Sequence, residues 1–202
     1  MNFYPAGTSK DDYTHPYCPK PRCISPEELE INNLFRLLWD QHAEWTGITV
    51  KSIVEGFPNE ASVTARLLRN PKDFKKALAP FYGSEIATDF CNLLTEHLTL
   101  AAQLIKAMKA GKAKEADKLN REWFLNTSEI AHFLGEINPY WSTRQWKDLM
   151  YMHLDLILDL TEALFNGEYE KSVDIYDNLE KEVLEMADIM AKGIIRQFGI
   201  KY

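Results

Sequence analysis

At 202 residues, with 46% apolar and 12% aromatic side chains, the chain is long enough for one domain with a sizeable buried core. A formal net charge of −7 argues against nucleic acid as the main partner, and without an apolar run of about 18 residues no membrane span is expected. Three cysteines, with Cys91 inside a helical pattern, argue against a disulfide framework and for a reducing cytoplasm.

The first residues, MNFYPAGTSKDDY, have neither a basic n-region nor an apolar h-region, so no secretory signal is expected. Residues 1–25 are rich in Pro, Tyr, Gly and Ser and read as an irregular arm. Cys18 and Cys23 lie there with His15 nearby, which has zinc-binding chemistry but no fourth ligand in sequence, so a tether is the expected reading. Residues 26–202 read as a single all-α domain, an up-down bundle of long helices with two short helices inserted after the first.

Ser25-Pro26-Glu27-Glu28 supplies an N-cap, a first-turn proline and a capping-box glutamate. The helix it opens runs over 26–55 and stops at Gly56. Asn59 opens a short helix over 60–69, and Asn70-Pro71-Lys72-Asp73 starts another that ends near Ala79. Ser84-Glu85 opens a long helix to 110, answered by a return helix over 112–136 and closed by Asn138-Pro139. Ser142 caps a helix over 142–166, and 168–198 forms the last. The turns at Gly111 and Gly167 are very short, so each flanking pair is expected to be an antiparallel hairpin.

The stripe Ile86, Phe90, Leu93, His97, Leu100, Leu104, Met108 steps by three or four residues, so His97 stands where a leucine belongs. His97 precedes Gly111 by fourteen positions; His153 precedes Gly167, and His42 precedes Gly56, by the same interval. Superposing Gly111 on Gly167 lays one hairpin on the other, with LLTEHLTL on LMYMHLDL and Glu129-Ile-Ala-His132 on Glu185-Met-Ala-Asp188. That interval spans roughly 21 Å of helix, so the three imidazoles lie at similar depth. Counting as far past Gly111 and Gly167 reaches Asn126 to Glu129 and Glu182 to Glu185.

The expectation is a polar layer of His97, His153, Asn126, Glu129, Glu182 and Glu185, joined by His42. Several buried carboxylates need a shared partner. One is a divalent metal, iron or manganese favoured and zinc an alternative, with His97, His153, Glu185, Glu129, His42 and Glu182 as ligands and Asn126 behind them. The other is a metal-free His–Glu network that only fixes helix register. His132, with Asp188 as its counterpart, is either a ligand or a solvated neighbour, and Glu96 points about 100° away from His97.

Paired hairpins with inward histidines and carboxylates resemble the ferritin-like superfamily, whose di-iron members draw Glu from two helices and Glu-x-x-His from two more. The chain has one Glu-x-x-His (Glu129, His132) and one Glu-x-x-Asp (Glu185, Asp188), and His97 and His153 stand where those members have Glu. Gln41-His42-Ala43-Glu44-Trp45 and Glu96-His97-Leu98 are similar to the Glu-His-Ala-plus-aromatic motif of bacterial ferritin-like helical proteins. The segment from Pro26 to Phe198 also looks like small clostridial and bacillar proteins labelled acetylglutamate kinase. The resemblance implies a metal-binding bundle with a redox or oxygen-related role. An amino-acid kinase would need an α/β pattern and glycine-rich phosphate loops, and the chain has neither.

Arg66, Arg69, Lys72, Lys75 and Lys76 form a basic cluster at a helix start, suited to an anion or an acidic partner or else to a solvated face. A homo-oligomer is compatible with the sequence. Met150, Met152, Met186 and Met190 read as core filler, and the five tryptophans as packing for the bundle or, for some of them, walls of a small-ligand pocket. No nucleophile adjoins a base in sequence, so no reaction is assigned.

Overall fold

A computed structural model describes residues 24–200. The expected arm, with His15, Cys18 and Cys23, lies outside the described residues except for Ile24 and Ser25. The helices are α1 (Pro26–Glu55), α2 (Glu60–Leu67), α3 (Asn70–Lys109), α4 (Ala113–Ile137), α5 (Thr143–Phe165) and α6 (Tyr169–Gln197). The described residues contain no strand.

The capping box at Ser25 forms as the sequence implies. The Glu28 N–H donates to Ser25 Oγ at 3.1 Å, and the Ser25 N–H donates to Glu28 Oε2 at 3.2 Å. The Gln145 N–H donates to Ser142 Oγ at 3.3 Å to start α5. The two helices expected on either side of residues 80–83 form one element, α3, broken at Gly83 (φ 83°, ψ 168°). Pro80 cannot extend the backbone ladder there, and only glycine takes that dihedral pair readily.

The bundle is a closed ring in which α1, α3, α4, α5 and α6 each pack on the next, with α6 returning to α1; α1 also reaches α5 across the middle. Contacts at the ends fix the directions. Lys109 Nζ donates to the Ile53 carbonyl at 2.5 Å, and Lys106 pairs with Glu60 at 2.6 Å, so α1 and α3 finish together. The Tyr169 hydroxyl, at the start of α6, donates to Glu55 Oε1 at 3.3 Å, and Arg36 pairs with Asp188 at 2.6 Å, so α6 runs against α1. With antiparallel hairpins α3/α4 and α5/α6, the helices α1, α3 and α5 run one way and α4 and α6 the other. The three parallel helices end at glycines in the left-handed region, Gly56 (φ 74°), Gly111 (φ 67°) and Gly167 (φ 69°), where a Cβ would be strained.

The core is continuous through the ring and rich in large rings: Trp39, Trp123 and Trp146 are fully buried, as are Phe35, Phe74 and Phe90. Met150, Met186 and Met190 fill gaps as expected. Met152 does not, and is 44% exposed; it lies two residues from Met150, about 200° around the helix.

Trp141, in the α4–α5 turn, lies over the backbone of Gly193 on α6 and donates its indole N–H to the Ile189 carbonyl at 3.2 Å. A Cβ on Gly193 would collide with that rigid indole. Gly193→Ala is therefore expected to destabilise the protein by roughly 1–3 kcal/mol through overpacking, seen as a lower urea midpoint with unchanged helical circular dichroism.

Candidate metal centre

His42, His97 and His153 converge in the middle of the bundle, with residue exposures of 1%, 1% and 2%. One ring nitrogen from each lies within 4.8 Å of those of the other two. Ring centroids are 5.5 Å apart for His42–His153 and 6.4 Å for both His42–His97 and His97–His153. The convergence follows from the chain. Each histidine precedes a left-handed glycine by the same fourteen positions, and the helices that carry them run parallel, so equal spacing becomes equal depth.

Each imidazole is held from behind by a side chain of a later helix. His42 Nδ1 lies 3.1 Å from Asn70 Oδ1, His97 Nδ1 3.2 Å from Asn126 Oδ1, and His153 Nδ1 2.9 Å from Glu182 Oε2. The asparagine orientations are determined by their other ends. Asn70 Nδ2 donates to the Leu38 carbonyl at 2.9 Å, and Asn126 Nδ2 donates to the Leu93 carbonyl at 3.1 Å. Each Oδ1 must then accept, and Nδ1 must carry the proton. Thr127 agrees: its hydroxyl donates to the Trp123 carbonyl at 2.8 Å, so towards His97 Nδ1, at 3.4 Å, it can only accept. The Glu182 carboxylate likewise accepts the hydrogen bond from His153 Nδ1. In this tautomer the lone pairs of His42 and His97 are on Nε2, the state a metal ligand requires, and at His153 the bond from Nδ1 to Glu182 leaves Nε2 as the ring nitrogen facing away from that partner.

Electrostatics keep two of the rings neutral. His42 is pushed down to about 3, first by burial and then by the neighbouring His153, against a raising hydrogen bond from Asn70. His97 is lowered well below its ordinary value by burial, then by His42 and His153, with Asn126 opposing. Neither needs to lose a proton at neutral pH before it can bind a cation.

Among the carboxylates expected in the layer, Glu182 alone is there, and it grips His153 from behind. Glu129 and Glu185 are exposed, which corrects their expected place in the core. They lie three residues beyond Asn126 and Glu182, less than one turn along the helix and about 60° around it, and the packed face ends within that angle. His132 is exposed beside Glu136 at 3.3 Å, Asp188 pairs with Arg36, and Glu96 is exposed. Asn70, fully buried, is the residue the sequence reading missed. It stands fourteen positions past Gly56, much as Asn126 and Glu182 stand fifteen past Gly111 and Gly167, so the same count applied to the first glycine finds it. Its place before Pro71 reads as a helix boundary instead.

The basic cluster is partly used internally: Asp73 pairs with Arg69 at 3.3 Å and Lys76 at 2.9 Å, and the Arg66 guanidinium lies 4.8 Å from the Trp45 ring centre. Compared with protein-family models, curated proteins and solved structures, the chain has no match. Fold and site together define an all-α five-helix bundle with a buried cluster of three histidines able to form a metal site. No described helix is long and apolar enough to cross a membrane.

The depressed His42 and His97 give the metal-free protein a specific acid sensitivity. Below about pH 6.5 the unfolded chain takes up protons that the folded protein refuses, so stability is full above that pH and falls as pH drops toward about 3. At pH 5 the loss from His42 alone is roughly 2 kcal/mol, and His97 adds to it. Urea unfolding of chelator-treated protein at pH 7 and pH 5 measures this; equal midpoints would contradict the neutral buried rings.

Proposed function

We propose that the protein is a metal-binding helical bundle of ferritin-like kind, whose divalent ion is held by Nε2 of His42, His97 and His153. The observation that carries this reading is the convergence of three ring nitrogens within 4.8 Å of one another while each Nδ1 is engaged outward. An ion bound at about 2.0–2.1 Å from each nitrogen draws them closer still by small side-chain rotations. Behind the ligands, Asn70, Asn126 and Glu182 fix the tautomer and orientation, the role that outer partners of metal-bound histidines take elsewhere.

The donor set bears on the ion. The sequence favours iron or manganese through its expected carboxylate ligands, but Glu129 and Glu185 are exposed and Glu182 lies behind His153. Three imidazoles suit zinc first and ferrous iron second, and are poor company for manganese. A three-nitrogen set leaves one tetrahedral position open, as in catalytic rather than structural zinc sites. The ferritin-like reading is supported by the two antiparallel hairpins with inward histidines. A di-iron oxidase role is not, because its Glu-x-x-His counterpart, Glu129 with His132, faces solvent.

Elemental analysis of the purified protein is expected to give close to one metal per chain after loading with zinc or ferrous iron. His97→Ala and His153→Ala should each lose it while retaining helical circular dichroism. Glu182→Gln keeps an acceptor for His153 but removes the charge, and should weaken metal binding by about 10–100-fold. A wild-type chain that takes up no metal would leave the histidine layer as a device that fixes helix register.

A further inference from the structure

The layer next to the imidazoles on the glycine side contains polar groups without partners. Four residues past each histidine on α1, α3 and α5 come Thr46, Ala101 and Ile157, about 6 Å further along their axes. On the antiparallel return helices, Trp123 and Leu179 are three residues before Asn126 and Glu182 and fall in the same layer. The Trp123 ring lies 5.4 Å from that of His97. Ile157 and Leu179 are apolar, and Ala101 is the smallest side chain of the layer.

Thr46 and Trp123 are 5% and 1% exposed, yet Thr46 Oγ1 and Trp123 Nε1 have no hydrogen-bond partner among the described residues. A buried donor without an acceptor is costly. Within the long helices, Thr88, Thr95, Thr99, Thr127 and Thr161 all donate to the carbonyl four residues earlier. Thr46, and Thr49 a turn beyond it, do not.

The opposite side of the triad is lined differently. There the residues three before each histidine are Trp39, Leu94 and Met150, all bulky and buried. The indole N–H groups of Trp39 and Trp146 are unpaired on that side too, but the two rings stack on each other at 6.2 Å and fill the space. An open coordination position is therefore best served on the Ala101 side, where an indole N–H and a hydroxyl await an acceptor. Charge selects the kind of acceptor. Three neutral imidazoles leave a divalent ion its full charge, the Glu182 carboxylate offsets one unit, and a dry core disfavours the unit that remains.

We propose, building on the metal-site reading, that the ion's fourth position takes a small monovalent anion of a few atoms, which accepts hydrogen bonds from Trp123 Nε1 and Thr46 Oγ1. Hydroxide and linear triatomic anions have the right charge and slender shape; sulfate, with two charges and a tetrahedral shell of oxygens, has neither.

Cobalt(II) reports both steps through its visible absorption. The wild-type chain, Trp123→Phe and Thr46→Val are each loaded with cobalt, the metal is counted, and sodium azide is titrated in. One cobalt per chain is expected in all three, with a saturable azide-induced spectral change in the wild type and at least tenfold weaker azide binding in both variants. Sulfate should leave the wild-type spectrum unchanged. Bound cobalt with a spectrum indifferent to azide, or with azide binding unaltered in the variants, overturns the anion site and leaves the metal site standing. Failure of the wild type to bind cobalt removes both.

Discussion

The structure depends on a single repeated constraint: an imidazole buried on one helix must donate a hydrogen bond from Nδ1 to a side chain on a later helix. A histidine in an apolar seam is costly unless its polar atoms are satisfied. Here His42, His97 and His153 are satisfied in the same way, by Asn70, Asn126 and Glu182. In two cases the same asparagine also ties down a carbonyl of the histidine's own helix. Each bond joins two helical segments at one height, so the network fixes sliding and rotation together. Apolar packing alone specifies these more loosely.

The surrounding architecture serves that alignment. Left-handed glycines stop α1, α3 and α5 at a common end, and the parallel course of the three helices turns equal spacing into a plane. The first unit departs most from the pattern. Its return segment is split into α2 and the first part of α3, with a further break at Gly83, yet Asn70 still arrives opposite His42.

The distribution of carboxylates sets the chemistry apart from a di-iron centre. With one acid behind the histidines and amides in the two equivalent places, the layer presents nitrogen donors and a single nearby negative charge. Neutral amides keep the other two rings in the required tautomer without adding charge. Such a centre suits an ion of borderline softness with an open position and gives little support to two oxygen-bridged metals.

Much of this is legible in the sequence. Period, caps and glycine stops determine the all-α class, the helix boundaries to within a few residues, and the equal depth of His42, His97 and His153, because those are local consequences of backbone geometry. Asn126 and Glu182 follow from the same count. Which residues at that depth face inward is decided only by tertiary packing. Glu129 and Glu185 share the level of the layer but lie about 60° outside the buried face, and no count along one helix reveals where its neighbours end. Asn70 falls at nearly the same count past Gly56, but before a proline it reads as a helix boundary, and only the course of α3 past α1 turns its side chain onto His42.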